Sequence, residues 1–161
     1  GKSKVEENRF PLARDLISRA KNIGVKLVFP IDFSVGADDA ASSESIVNLN
    51  DVPSDAHVFD IGPKTKNLFK DIVSKAATVL WNGPMGLFER ETFSSGTLSM
   101  ARFVAGSAAF SVVVGKASSE AVYKFGLEKG FNHVSSGGDA SLDLLEGKVP
   151  SGIGALEYTA K

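Results

Sequence analysis

Residues 110–122, "FSVVVGKASSEAV", run from an apolar, β-branched segment straight into Gly115, Lys116 and two serines. The apolar part suits a buried strand. A strand handing over to a helix at a glycine makes the kind of turn where α/β proteins hold a phosphate, because the first amides of a helix point outward without partners. Such turns ordinarily carry two or three glycines and a polar residue, whereas Val114, Lys116 and Ala117 crowd this one. The stretch is a phosphate loop, a remodelled one, or a former one.

The same handover recurs on both sides. A strand at 110–115 and a helix at about 118–125, stopped by Gly126, precede a short strand near His133 to Ser135 and a helix at 139–146 stopped by Gly147. Upstream, a helix from about Lys64 to Ala77 opens at Pro63 and sets Leu68, Phe69, Ile72, Val73 and Ala76 on one face. "ATVLWNG" then reads as a buried strand, followed by a helix near Phe93 to Ala105. Residues 11–24 place Leu12, Leu16, Ile17, Ala20 and Ile23 on a helical stripe, and "VKLVFPIDF" reads as a buried strand ending near Pro30. Residues 34–56 are a polar loop with one small strand around Ile46 to Leu49.

Strands alternating with helices at this spacing predict right-handed βαβ crossovers and a mainly parallel sheet covered on both faces, a three-layer αβα arrangement. Ligands of such sheets bind at the carboxyl ends of the strands. The glycine turns at 82–86, 115 and 137–138 each follow a strand, so all are expected on that one edge.

With 161 residues, 43% hydrophobic and 23% charged, the chain is long enough for one domain spanning residues 1–161. A net charge of −1 offers no cationic excess for a nucleic-acid or anionic membrane partner. The absence of cysteine removes disulfides, thiolate catalysis and cysteine-bound zinc; His57 and His133 lie far apart, without ligand spacing. No apolar run reaches the ~20 residues of a membrane span, and "GKSKVEENRF" has no signal-peptide core, so a cytoplasmic location is expected. Asp38, Asp39, Glu44, Asp51 and Asp55 are scattered over the polar loop as a solvated surface, and Phe10, Phe69, Phe93, Phe103 and Phe125 are expected in the core.

"WNGPMGLFE", residues 81–89, is the most informative segment. Asn82 offers both a donor and an acceptor, Gly83 and Gly86 admit a close ligand, Pro84 stiffens the turn, and Glu89 suits a ribose diol. A plain Gly/Pro turn between strand and helix accounts for the same residues.

"DIGPKT" at 60–65, "WNGPMGLFE" at 81–89 and "HVSSGGDASLDLLEGKVPSGIGAL" at 133–156 resemble motifs of phosphoglycerate kinase, in the same order and at similar separations, and "GKSKVEE" and "VKLVFPIDF" are similar too. The resemblance covers essentially the whole chain but only the later part of the family's C-terminal, Rossmann-like nucleotide domain. It implies an adenine nucleotide, Mg-ADP or Mg-ATP, and a phosphoryl transfer between 1,3-bisphosphoglycerate and ADP giving ATP and 3-phosphoglycerate in glycolysis. By position, Asn82 lies by the nucleotide phosphates and ribose. Pro84, Gly86 and Leu87 wall the adenosine, Glu89 binds the ribose hydroxyls, and Phe59 stands where the family puts an aliphatic residue against adenine; Lys4 departs from another such position. The acid-binding domain and the loop with the phosphate-contacting lysines are not among these residues, so no catalytic residue is assigned and the chain is expected to be inactive alone. A complementary chain or self-association is expected to cover the edge those strands would occupy. The alternative is a non-enzymatic interaction module.

The departures concentrate at the phosphate edge, assigned to Gly115, Lys116, Ser118, Gly137 and Gly138. Where the family has Gly-Gly-Gly-Asp-Ser/Thr, this chain has Val114, Gly115, Lys116, Ala117 and Ser118. Ala117 replaces the carboxylate associated with the metal, so no metal ligand is assigned. Lys116 adds positive charge at a helix N-terminus and offers phosphate a direct partner; the plainer reading points it into solvent and leaves Ser118 or Ser119 to cap the helix. Asp139 replaces a third glycine where a carboxylate repels a phosphoryl group.

Overall fold

The computed structural model describes residues 1–135 and 137–159. The helices are α1 (Phe10–Asn22), α2 (Pro63–Val73), α3 (Ser95–Ala105), α4 (Lys116–Lys124), α5 (Gly138–Leu145) and α6 (Ser151–Thr159). The strands are β1 (Asp32–Gly36), β2 (Ser45–Asn48), β3 (His57–Ile61), β4 (Thr78–Asn82), β5 (Phe110–Val114) and β6 (His133–Ser135). They form two sheets, an antiparallel one of order β2-β1-β3 and a parallel one of order β4-β5-β6.

The αβα class holds, and the parallel sheet is built by the segment that read most clearly. Corrections fall mainly in the N-terminal third. Residues 25–30 form no strand; a strand needs a partner for its backbone groups, and pairing begins only at Asp32, after Pro30. Val25, Leu27 and Phe29 of that extended segment are exposed. The α1 helix forms as expected, but of its stripe only Ala20 is buried, while Leu12, Leu16 and Ile17 stay about half exposed and Phe10 is outside the core. Within residues 34–56 the expected small strand forms as β2, and the end of β1 extends into the same stretch. The α4 helix starts two residues earlier than its spacing suggested, directly after Gly115, and Phe93 belongs to a short 3-10 turn ahead of α3.

The core lies around the parallel sheet. Val73 of α2, Trp81 of β4, Val113 of β5, Met100, Ala101 and Val104 of α3, Val122 of α4, and Phe131 form one buried cluster. Full burial of a valine such as Val113 contributes about 1.5–3 kcal/mol. The antiparallel sheet is joined to this core by long-range polar contacts. Asp32 of β1 accepts hydrogen bonds from the amides of Lys64 (2.9 Å) and Thr65 (2.7 Å) and from the Thr65 hydroxyl (2.6 Å), capping α2 from a strand more than thirty residues away. Burial pushes the Asp32 carboxyl up, but the Thr65 hydroxyl and the two amides outweigh it and hold the group below the usual carboxylate range.

Candidate functional site

Parallel pairing sets Asn82 opposite Val114 and Val114 opposite Ser135, so the turns after β4, β5 and β6 leave the sheet at one level. They touch. A Cβ added at Gly115 would stand 2.7 Å from Asn82 Oδ1, and one at Gly138 would stand 3.1 Å from the Cα of Gly115. Gly115 also has φ +90°, which disfavours side chains. The Ser119 hydroxyl donates to the carbonyls of Gly115 (2.9 Å) and Ser135 (3.0 Å), tying the last two turns together.

The loop after β4 is held by groups from three other elements, α4, α3 and β3, and by Trp81 of β4 itself. The Gly83 amide donates to Ser118 Oγ on α4 (2.6 Å), and the Trp81 indole donates to the Gly83 carbonyl (2.7 Å). Thr97 of α3, fully buried, accepts the amides of Met85 and Gly86, both at 3.1 Å. The Leu87 amide donates to the Phe59 carbonyl of β3 (2.8 Å). Lys124 Nζ, from the last turn of α4, donates to the carbonyls of Phe88 (2.8 Å) and Glu89 (3.3 Å). Asn82 and Glu89 are exposed, and Pro84, Gly86 and Leu87 are half-buried. The half-buried Phe59 ring rests on Phe93 at 4.7 Å between centroids.

Behind this loop lies Asp60, 2% exposed. It accepts the Gly96 amide at the start of α3 (2.6 Å) and the Ile61 amide (2.8 Å). A Cβ on Gly86 would collide with its carboxylate, so the lack of a side chain there also makes room for a buried acid. Burial pushes the Asp60 carboxyl up to about 6, against the pull of its two amides. Asp32 and Asp60 both serve helix starts, yet shift in opposite directions: burial weighs more heavily on Asp60, while Asp32 has an added hydroxyl donor that Asp60 lacks.

The phosphate edge is barer. Lys116 is exposed, with Nζ 3.7 Å from Glu120 one helical turn on, and Ala117 is exposed beside it. Ser118 is 1% exposed and its oxygen already takes the Gly83 amide, so it acts on the loop rather than toward solvent. The Gly137 amide donates to Ser135 Oγ at 3.2 Å, and Gly138 opens α5. The side chain of Asp139 lies outside the described residues. The α4 start offers a backbone glycine, an ammonium, a methyl and an engaged hydroxyl, a donor set that does not fit a hard dication. Among the described residues no group of three or more His, Cys, Asp or Glu is placed to hold a metal; Asp38, Asp39, Glu44, Asp51 and Asp55 are exposed. No helix among them is long and apolar enough to cross a membrane.

Three residues of this arrangement were not singled out by sequence. Asp60 had a signal, an acid inside the apolar run "HVFDI". Thr97 and Lys124 had none, because each acts on a loop from a helix to which only tertiary folding brings it.

The family model described as phosphoglycerate kinase matches residues 1–148. The phosphoglycerate kinase of Finegoldia magna is 42% identical over 98% of this chain, and that of Herpetosiphon aurantiacus is 44% identical over 97%. The chain spans about 40% of the length of these curated relatives. Among solved structures, the phosphoglycerate kinase of Coxiella burnetii superposes with a TM-score of 0.89 at 36% identity, over 93% of this chain and 39% of that one. The enzyme of Pyrococcus horikoshii superposes with a TM-score of 0.67 at 32% identity, over 86% and 35%. With the match running through both sheets and all three glycine turns, the chain belongs to the phosphoglycerate kinase family.

Proposed function

We propose that this chain is a single partial C-terminal nucleotide-binding domain that keeps the adenosine half of a phosphoglycerate kinase site. Adenosine lies against Pro84, Gly86, Leu87 and Phe59, the ribose hydroxyls bind Glu89, and the phosphates run past Asn82 to Gly115, Lys116, Gly137 and Gly138. The observation that carries this reading is the loop at 82–89, whose backbone is held before any ligand arrives by Ser118, Thr97, Phe59 and Lys124. A loop ordered in advance loses less entropy on binding.

Phosphoryl transfer between 1,3-bisphosphoglycerate and ADP needs cations around the moving phosphoryl group. In this reading the chain supplies the nucleotide side in the cytoplasm, and turnover requires acid-binding residues beyond these 161. Lys116 meets phosphate directly, and magnesium adds little because Ala117 provides no carboxylate.

A thermal melt of the chain alone, with ADP, and with ADP plus Mg²⁺ tests this, since a ligand of the folded state raises the melting temperature. Equal upward shifts with and without Mg²⁺ are expected. A cooperative melt that ADP leaves unmoved would overturn nucleotide binding and favour a non-enzymatic module; a further rise with Mg²⁺ would overturn the metal-independent edge.

Exposed apolar surface favours a second, compatible reading, in which a complementary chain or a second copy covers the N-terminal third. Leu12, Leu16 and Ile17 of α1 and Val25, Leu27 and Phe29 beside it are exposed, and β4 ends its parallel sheet with Leu80 uncovered. An open edge and uncovered apolar faces favour association. Sedimentation velocity should show mass rising with concentration; a concentration-independent monomer would sink self-association.

A further inference from the structure

We infer that Lys124 is a positioning residue for the nucleotide loop, holding its ribose end in register with the phosphate edge. The α4 helix touches that loop at both ends. Its first turn presents Ser118 Oγ to the Gly83 amide at 2.6 Å, and its last turn sends Lys124 Nζ to the Phe88 and Glu89 carbonyls at 2.8 and 3.3 Å. Six residues of helix separate the two clamps, about 9 Å along the axis, so one rigid element sets the span from Gly83 to Glu89. The same helix begins at Gly115 and Lys116, the proposed phosphate contacts.

Lys124 is well placed for this. Its ammonium lies 5.8 Å from the centroid of the Phe88 ring, itself 4% exposed, which gives the side chain an apolar support as well as two acceptors. A lysine in a last helical turn also complements the helix dipole, but that effect requires no reach to another loop. Bonds from a charged donor to two successive carbonyls do, and they are stronger than neutral ones. Holding the Glu89 carbonyl fixes the backbone from which its carboxylate extends, so Lys124 acts on the ribose through Glu89.

The inference rests on the nucleotide reading of the loop, and its test separates the two. Binding of ADP and of 2′,3′-dideoxy-ADP is measured for the full chain as wild type, Lys124→Met and Lys124→Arg, with melts confirming that each folds. The wild type should prefer ADP. Lys124→Met should weaken ADP about tenfold, one factor of ten in the binding constant, while leaving the dideoxy nucleotide unchanged, and Lys124→Arg should restore most of the preference. Equal weakening of both nucleotides, or of neither, with wild-type binding intact would overturn the role of Lys124 alone. A wild type that binds neither would overturn the nucleotide reading and the positioning role together.

Discussion

The loop at 82–89 and the start of α4 share one sheet edge, but they are built differently. The loop is held by Thr97, Phe59 and Lys124, which brace it from elsewhere in the fold, with the buried Asp60 packed behind Gly86. The α4 start presents Lys116 and Ala117 to solvent, with only a surface pair to Glu120. Ser118 and Ser119 are buried where the two sides meet, but the charge offered at the phosphate side comes from exposed Lys116, so substitutions of the loop's buried braces and of Lys116 should have separable effects.

The largest expected effect is on the buried side. Thr97→Val keeps the shape but leaves the part-buried Met85 and Gly86 amides without their acceptor, at about 1–3 kcal/mol for the pair. Urea unfolding should show a loss of about 2 kcal/mol. A loss below about 1 kcal/mol would mean that water satisfies these amides and the loop is not braced.

A pH series sharpens the same contrast. The Asp60 carboxyl sits at about 6 in the folded chain against an ordinary 3.8, so the folded state binds this proton more tightly than the unfolded one. Its contribution is fully present below the ordinary value and lost as pH rises through about 6. Asp32 has the opposite sign: its contribution is present above the ordinary value and disappears only at lower pH. Unfolding free energy between pH 4.5 and 7.5 should therefore fall by about 2 kcal/mol on account of Asp60, and Asp60→Asn should flatten that slope. A slope the variant leaves intact belongs to other groups.

The smallest stability effect is at the phosphate side. Lys116→Met should change unfolding free energy by no more than about 0.5 kcal/mol, since an exposed ion pair contributes little, yet weaken ADP severalfold and leave adenosine unchanged. Unchanged ADP binding would return Lys116 to the solvent.

Much of the site was legible in sequence because its signals are local. The glycine turns after β4, β5 and β6 fall at strand ends, and parallel pairing brings them together as expected. The bracing residues were not legible. Thr97 looks like any helical threonine and Lys124 like any surface lysine, and nothing local to Gly86 announces the Asp60 carboxylate behind it. Residues 25–30 carried a true strand composition, but composition does not supply a neighbour.

The amino-acid sequence by itself determined the alternation of strand, turn and helix from His57 to Gly147, since periodicity and turn residues act over a few positions. Its motifs likewise carried the family resemblance. Tertiary structure alone decided that β1 to β3 form a separate antiparallel sheet, that buried carboxylates at 32 and 60 serve the starts of α2 and α3, and that α4 grips one loop at two points. Those outcomes depend on groups distant along the chain meeting in space with little water between them, which no local pattern encodes.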